Sequence, residues 1–230
     1  VTLVYEDREY PERSWVATGV EIDVQGTSSQ WYPRKNFKTK CKQGFTMTAT
    51  GEHADKVAIF EEEIPVNVFC FKADFAESSG VHNTGMARLI DYILRGMGFL
   101  TEAQKADPRV RTTVNGRPSV MWHQTSEDDE RTSLGKYNFN NDKSTNETFG
   151  FKAGCESWEI LNNTSDRVLF KRSDYITVDS EGNIEWLKDF EARYPDENED
   201  YTNLKRLTDW LVSVKDNPTK FRAEADQYLD

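Results

Sequence analysis

The hydrophobic pattern of this chain changes its period between residues 73 and 84, and this change constrains the fold more than any other feature of the sequence. Before residue 73, apolar side chains alternate with polar ones or occur among β-branched and aromatic residues, as in half-buried strands. Segments of this kind cover residues 19–24, 36–41, 45–50, 56–60 and 66–72. After residue 84 the apolar side chains recur at helical spacing. The sequence therefore predicts an α+β fold in which residues 19–72 form one mainly antiparallel sheet with a packed helix.

The predicted helix covers residues 84–97 and is amphipathic. Its polar face carries Arg88, Asp91 and Arg95, and Gly96 and Gly98 mark its end. Because the apolar stripe of such a helix normally faces the core, we expect the following side chains to pack on the sheet: Ile90, Ile93, Leu94 and Met97.

Further local signals complete the predicted organisation. Asn115-Gly116 lies between two strand-like segments, residues 110–114 and 118–123, and predicts a type I′ hairpin. The polar residues 124–133 predict an exposed loop. Near the C-terminus, one face of a predicted helix carries Leu204, Leu207, Leu211 and Val214. The following Asn217-Pro218 predicts a helix cap with proline at the first helical position.

Charge and cysteine content exclude several function classes. The 230 residues include 29 basic and 40 acidic side chains, for a net charge of −11. This balance argues against nucleic-acid binding and against binding to anionic membranes, which need a basic surface. No apolar run is long enough for a transmembrane helix. The cysteines, Cys41, Cys70 and Cys155, are odd in number and lack a Cys-x-x-Cys spacing, so we expect buried free thiols and no disulfide framework or zinc site.

A loop with hydroxyl and basic side chains follows the first predicted strand. The strand ends at Gly26, Ser28 and Ser29 follow it, and the cations Arg34, Lys35 and Lys38 come next. Hydroxyl donors and cations next to a glycine suit an anion such as phosphate. An ordinary turn with solvated cations is the alternative, because the segment contains no Walker pattern and no Gly-x-Gly-x-x-Gly.

Residues 136–144 are rich in asparagine and leave two interpretations open. A calcium-binding loop is excluded, because Lys143 and Phe149 stand where an EF-hand needs glycine and glutamate. In the first interpretation the asparagine side chains bond their own backbone in a structural loop. In the second the segment serves phosphoryl transfer, with Asp142 as base or metal ligand and with Asn140 or Asn141 assisting.

Lys72 has a similar ambiguity. It either projects into a cleft, where it would contact phosphates, or points to solvent. Asp74 stands two residues later, and a strand would place it on the same face, where it could orient Lys72.

Several of these segments resemble a known family. Gly26-Thr27-Ser28-Ser29, followed by Tyr32-Pro33-Arg34-Lys35-Asn36-Phe37, resembles the Gly-Asn-Ser-Ser…Pro-Lys-Lys-x-Tyr signature of the spore-coat CotH kinase family. Phe71-Lys72-Ala73-Asp74-Phe75, followed by Ser78, Ser79 and Asn83, looks like the family's Lys-Ala-Asp/Asn strand, small-residue loop and helix start. Looser matches are Val114-Asn115-Gly116-Arg117-Pro118 and the segment from Lys136 to Ser144, where the family carries its catalytic loop. The resemblance covers roughly residues 18–195 and departs from the pattern at Gln25 and Thr27, where the family usually has Arg and Asn.

The resemblance implies an atypical protein-kinase-like fold and a nucleotide site. It implies ATP with magnesium as the cofactor. Carried over residue by residue, the cofactor-binding side chains would be Ser28, Ser29, Arg34, Lys35, Lys72 and Asp74. The catalytic side chains would be Asp142, Asn140 and Asn141, with Asp142 also the metal ligand. The family's later Trp-Asp-x-Asp-like segment of metal-binding carboxylates has no match before residue 230, so we expect an incomplete portion of the full module.

The matched segments look most like CotH-like modules in tailed-phage structural proteins when two further segments are included, Trp158-Glu159-Ile160-Leu161-Asn162-Asn163 and Asp189-Phe190-Glu191-Ala192-Arg193-Tyr194-Pro195. We therefore expect a CotH-like N-terminal lobe and central region over residues 1–195 and a helical segment over residues 196–230. The expected function is that of a structural or adsorption-associated virion component. The alternatives are an ATP- and magnesium-dependent protein serine kinase and a module that binds a host surface or a virion protein. The expected partners are other virion proteins or a protein substrate, with neither nucleic acid nor membrane insertion, and the expected location is the phage particle or the bacterial cytoplasm.

Overall fold

The structure, a computed structural model, confirms the α+β class. It describes residues 1–26, 28–80, 82–151, 156, 158–160, 176–178, 180, 184–186, 190–192 and 202–229. The chain divides into two compact units, Val1–Gly150 and Phe151–Asp230. Paired strands are antiparallel throughout the described residues. The boundary predicted between residues 195 and 196 lies outside the described residues.

The first unit contains two larger sheets. The five-stranded sheet has the order β3-β4-β7-β9-β8, and its strands are β3 (Glu21–Gln25), β4 (Asn36–Lys40), β7 (Val68–Lys72), β8 (Gly116–His123) and β9 (Thr132–Asn141). The four-stranded sheet has the order β1-β2-β5-β6, and its strands are β1 (Leu3–Tyr5), β2 (Trp15–Ala17), β5 (Phe45–Met47) and β6 (His53–Ala54).

The prediction of a single sheet over residues 19–72 is therefore wrong. After β4 the chain turns at Gly44, whose φ is +72°, and continues into the second sheet. A Cβ atom at Gly44 would lie 2.7 Å from the carbonyl oxygen of Ala54, so only glycine fits this turn without displacement. Residues 56–60 contribute only an isolated bridge between Val57 and Val66.

Aromatic side chains from both sheets form the core of the first unit. Trp15 contacts Phe45 with ring centroids 4.8 Å apart, and Phe139 contacts Phe69 at 4.9 Å and Phe71 at 5.2 Å. All five rings are buried. Alternation along a strand places polar residues on the other face of β7 and β9, and that face carries the candidate site.

Helix α1 (His82–Gly96) forms where predicted, but its orientation is the reverse of the prediction. The fractional exposures of Ile90, Ile93 and Met97 are 44, 45 and 63%, so the expected packing on the sheet is wrong. The polar face lies inward instead. Asp91 binds Arg111 at 3.2 Å, and Arg95 donates to the carbonyl oxygen of Val110 at 2.7 Å.

The buried charge of Arg111 explains this orientation. Its side chain is only 10% exposed, and it also lies 3.4 Å from the buried carboxylate of Glu63. A buried guanidinium needs charged or polar partners, and Asp91 on the helix supplies one of them. A short helix, α2 (Glu102–Ala106), follows α1 and begins at a capping box formed by Thr101 and Gln104.

The predicted hairpin at Asn115-Gly116 is also wrong. Gly116 is instead the first residue of β8, which pairs with β9. The connection between these two strands, residues 124–131, is exposed, as predicted for this loop. Gly116 serves close packing, because a Cβ atom there would lie 2.1 Å from Oδ1 of Asn140. Asn115 is buried and its side chain bonds Glu63.

The described residues of the second unit form short strand pairs and two α-helices. Strands β10 (Trp158–Ile160) and β13 (Phe190–Ala192) pair with each other, as do β11 (Ile176–Val178) and β12 (Ile184–Trp186). Helix α3 (Thr202–Val214) buries Leu204, Leu211 and Val214, and α4 (Pro218–Glu224) begins at Asn217, whose side chain accepts from the backbone of Lys220 at 3.0 Å. These observations confirm the predicted helical face and cap.

Candidate functional site

The candidate site lies on the polar face of the five-stranded sheet. In the strand register Lys38 stands opposite Cys70, and Cys70 stands opposite Asn140. Lys72 stands opposite Asn138. Because directly opposed residues lie about 4.5–5.5 Å apart on the same face, three strands bring these side chains into one layer.

Asp142, directly after β9, is the buried centre of this layer and is 1% exposed. Its Oδ1 accepts from Nζ of Lys38 at 3.0 Å, from the backbone N–H of Ser144 at 2.8 Å and from the Ser144 hydroxyl. Its Oδ2 accepts from the Cys70 thiol at 2.8 Å and from the Gln25 amide at 3.4 Å. Both carboxylate oxygens are therefore surrounded by donors.

These contacts determine the protonation of the pair formed by Asp142 and Cys70. Burial raises the pKa of Asp142, but the hydrogen bonds from Cys70, Ser144 and Lys38 more than offset this and bring that pKa well below its usual range. Burial, together with the neighbouring Asp142 charge, raises the pKa of Cys70 to about 12. At neutral pH Asp142 is thus an anion, and Cys70 is a thiol donor, which makes it a poor nucleophile.

A small cavity lies next to this layer. Its volume is about 70 Å³, and the charged side chains that line it are Arg34, Lys72, Lys136, Asp74 and Glu77. The segment Ser78-Ser79-Gly80 forms another part of its wall. Lys72 joins the cavity to the buried layer, because its ammonium donates to the Gln25 side chain, which in turn donates to Asp142.

The three cations of the cavity bond only neutral oxygens among the described residues. Arg34 donates to the carbonyl oxygen of Ala73 at 2.7 Å, Lys136 donates to that of Ser79 at 2.5 Å, and Lys72 bonds Gln25. The Nε atom of Arg34 is buried and has no hydrogen-bond acceptor in the described part of the chain. Asp74 and Glu77 also line the cavity, but among the described residues neither forms an ion pair with these three cations, which leaves the cations able to bind an anionic ligand.

The two carboxylates of the cavity accept hydrogen bonds from neutral donors. Asp74 accepts from the side chain of Asn138. Glu77 accepts from the backbone N–H of Ser79 at 3.0 Å, from its hydroxyl at 2.7 Å and from the backbone N–H of His82 at 3.2 Å. The hydrogen bond from Ser79 is the main reason that the pKa of Glu77 falls to about 2. The negative charge of Glu77 therefore stabilises the positive N-terminus of α1 more than it neutralises the cations of the cavity.

The backbone of the cavity wall has positive φ angles at Asp74 and Gly80. Asp74 has φ +42° and is the only non-glycine residue with a positive φ among those the structure describes. Aspartate tolerates this left-handed conformation better than most residues, and such strain occurs often at binding sites. Gly80 has φ +63°, and a Cβ atom there would lie 2.7 Å from Nζ of Lys136.

The structure brings together part of the predicted site. Arg34, Lys72 and Asp74 line the cavity, and Asp142 is linked to it through Gln25. Lys72 and Asp74 are not paired with each other, since each bonds another side chain. Asn140, 4% exposed, lies on the same face.

The other predicted residues have structural contacts. Asn141 accepts from the backbone N–H of Asn115 at 2.8 Å. Lys35 donates to the carbonyl oxygens of Gln30 and Tyr32, within its own loop. Ser29 accepts from the Asn36 side chain at 3.2 Å. The side chain of Ser28 lies outside the described residues.

Sequence reasoning missed the donors Gln25, Cys70 and Ser144 and the cation Lys136. It interpreted residues 136–144 as a loop, whereas β9 extends to Asn141. The two-residue spacing of Lys136, Asn138 and Asn140 was a signal for a strand, and it would have placed these polar side chains on one face.

Comparisons of this chain with protein-family models, with curated proteins and with solved structures found no match. In the part of the chain that the structure describes, no helix is both long and apolar enough to cross a membrane. The described residues also contain no group of three or more His, Cys, Asp or Glu side chains arranged to hold a metal ion.

The donor set around Asp142 does not fit magnesium. Mg²⁺ prefers oxygen ligands in near-octahedral geometry, and both oxygens of Asp142 already accept from protein donors. The ammonium of Lys38, 3.0 Å away, would also repel a divalent cation. The neighbouring cavity, lined by Arg34, Lys72 and Lys136, can instead hold one anionic group of about the size of phosphate.

Proposed function

We propose that this chain is part of a CotH-like, kinase-related module that serves as a structural or adsorption-associated component of a tailed-phage particle. In this proposal the cavity beside β7 binds the phosphate group of a ligand such as ATP. The similarity of residues 18–195 to the CotH pattern supports the module and its setting. The observation that supports the ligand is the group of three cations, Arg34, Lys72 and Lys136, around one cavity of about 70 Å³ in a chain of net charge −11.

The state of Asp142 favours binding over catalysis. A catalytic aspartate has to accept a proton from the attacking hydroxyl or hold the metal ion. Asp142 is buried and accepts hydrogen bonds on both oxygens, so it has no oxygen available for either task. Magnesium that accompanies ATP would be held by the phosphates of the ligand and by water.

Calorimetry with magnesium-ATP and with inorganic tripolyphosphate tests the binding proposal. The double variant Arg34→Ala/Lys72→Ala and the single variant Lys136→Ala should each weaken binding of both probes at least about tenfold, because each removes charge from the cavity. Lys42→Ala is the matched control, since Lys42 is an exposed lysine that pairs with Glu21 on the same sheet. Micromolar affinity that survives the double variant would refute the assignment of this site.

One observation favours a serine kinase as the second candidate. Asp142 is held ionised and is connected to Lys72 through Gln25, so a carboxylate and a phosphate-binding lysine belong to one network. A radiolabel assay on serine-containing peptides, with magnesium or manganese, distinguishes the two functions. We expect no incorporation by residues 1–230. Clear incorporation that is abolished by Asp142→Asn, while circular dichroism shows that this variant is folded, would establish the kinase in place of the binding function.

A further inference from the structure

An apolar strip borders the cavity on the same face of the sheet. It is formed by Pro118, Val120 and Trp122, which are exposed alternate residues of β8. Val120 is 58% and Trp122 is 53% exposed. The intervening side chains point the other way. Met121 packs against the core, and Arg117 bonds Tyr5 and Asp7.

The strand register connects this strip to the cavity. Val120 stands opposite Lys136, and Pro118 stands opposite Asn138. Lys136 lines the cavity, and Asn138 bonds Asp74 and the carbonyl oxygen of Gly80 in its wall. Trp122 lies two residues beyond Val120, after a register shift between Met121 and Trp122, and stands opposite Ser133. The strip therefore begins beside the cavity and leads away from it.

The size of the cavity means that any ligand larger than a phosphate group extends outside it. Its volume of about 70 Å³ is well below the roughly 300–1,000 Å³ of pockets that enclose a whole small molecule. It has room for one phosphate-sized group, so the remainder of the ligand must lie on the surface. The strip consists of three residues, whereas a stable protein interface involves roughly 20–30 residues on each side.

We infer that the phosphate held by the cavity belongs to a nucleotide whose base stacks on Trp122. This inference rests on the proposed function. Trp122 has no ring partner among the described residues. Tyr32, two residues before Arg34, and Phe75, directly after Asp74, instead contact each other with ring centroids 5.4 Å apart. An exposed indole beside a cationic site presents a flat surface to a base, and stacking of this kind tolerates any base.

The test compares ATP with inorganic tripolyphosphate, which carries the phosphates without the base. Calorimetry on the whole chain should give ATP about tenfold tighter binding than tripolyphosphate, as expected for one stacked base. Trp122→Ala should weaken ATP binding about tenfold and leave tripolyphosphate binding unchanged, and Trp122→Phe should retain most of the difference. Trp31→Ala is the matched control, because Trp31 is also exposed but lies on another segment, and it should change neither affinity.

Fluorescence gives a second readout. ATP should quench the emission of the wild-type chain, tripolyphosphate should not, and the quenching should disappear in Trp122→Phe. Circular dichroism of each variant checks that it is folded, which we expect because the Trp122 side chain is half exposed.

The outcomes separate this inference from the proposed function. Equal affinities of ATP and tripolyphosphate for the wild type would overturn the inference and leave the phosphate site intact. Equal weakening of both probes by Trp122→Ala, or loss of the difference in Trp31→Ala, would overturn it in the same way. If neither probe binds, the proposed function fails and the inference fails with it.

Discussion

Asp142 illustrates how a buried charge is stabilised in this protein. Its carboxylate is surrounded by an ammonium, a thiol, a hydroxyl, a backbone N–H and an amide. A buried ion without such partners would shift its pKa toward the neutral form. Here the donors outweigh burial, and the pKa of Asp142 lies below its usual range. The side chain is therefore important for stability whatever the ligand of the site is.

Asp142→Asn should destabilise the fold by about 2–4 kcal/mol, because it leaves Lys38 without its counter-ion and turns an amide N–H toward surrounding donors. The range extends down to about 2 kcal/mol because the Lys38 side chain is 23% exposed, and contact with water reduces the cost of losing its counter-ion. Urea unfolding at pH 7 measures the difference. Lys42→Met, which breaks an exposed ion pair with Glu21, should cost much less than Asp142→Asn and serves as the control.

The stability difference between the wild type and Asp142→Asn should depend on pH in a defined way. An aspartate with a lowered folded pKa stabilises the native state above its unfolded pKa of about 3.9, and this contribution is lost as the pH falls through the folded value. The free-energy difference between wild type and Asp142→Asn should therefore be constant from pH 7 to about pH 5 and should shrink below about pH 4. A difference that grows on acidification would contradict the ionised state of Asp142.

Cys70 should be chemically inert in the native state. Its pKa is raised to about 12 by burial and by Asp142, so almost no thiolate exists at pH 8. Alkylation followed by peptide mapping should detect modification of Cys70 only after denaturation. Rapid native-state modification would show that the thiol is neither buried nor held by Asp142. Cys41, with a pKa raised by burial to about 11, should behave in the same way.

At the scale of elements, helix α1 shows that amphipathicity does not by itself decide which face is buried. The ion pairs of Asp91 and Arg95 and the contact of Arg88 with the ring of Phe60, at 4.4 Å, hold its polar face against the protein. The apolar stripe is left partly exposed. Charged partners with fixed positions thus outweigh the general preference of apolar side chains for the core.

Alanine substitutions can distinguish this orientation from the one predicted by periodicity. Ile93→Ala should change the free energy of unfolding by only about 1 kcal/mol or less, because Ile93 is half exposed and alanine is the better helix former. Phe139→Ala, in the aromatic core, should cost about 3–5 kcal/mol. Urea unfolding of both variants provides the test, and a loss at Ile93 comparable to that at Phe139 would indicate that the helix is packed by its apolar face.

At the scale of the whole molecule, the chain consists of two compact units, each with its own core. The aromatic core around Trp15 and Phe139 belongs to Val1–Gly150. A second cluster, formed by Trp210, Leu211 and Val214, belongs to Phe151–Asp230. A unit with a complete core of its own is expected to fold independently.

A fragment of residues 1–150 should therefore be folded and cooperative. Its Tm should lie within about 4 °C of the corresponding transition in the full chain, the shift that about 1 kcal/mol produces in a domain of this size. Thermal melting followed by near-UV circular dichroism measures it, and a fragment of residues 1–195 tests the boundary indicated by the sequence. Loss of cooperative melting in the shorter fragment but not in the longer one would place the domain boundary after residue 150.

The sequence alone determined part of the local structure. The apolar alternation of residues 66–72 corresponds to β7, helical periodicity located α1, and the cap at Asn217 fixed the start of α4. These features follow from backbone geometry and from contacts between residues close in the chain, so a local pattern is sufficient to predict them. The sequence also singled out Arg34, Lys72 and Asp142.

Only the tertiary structure decided how these pieces meet. The donors of Asp142 include Cys70, Lys38 and Gln25, which are 72, 104 and 117 residues away in sequence. The orientation of α1 depends on Arg111, which lies 20 residues after its partner Asp91. The closing of β5 and β6 into a second sheet depends on a turn at Gly44. Contacts between distant segments depend on the whole arrangement of strands, and no period in the sequence encodes which donor will reach a buried carboxylate.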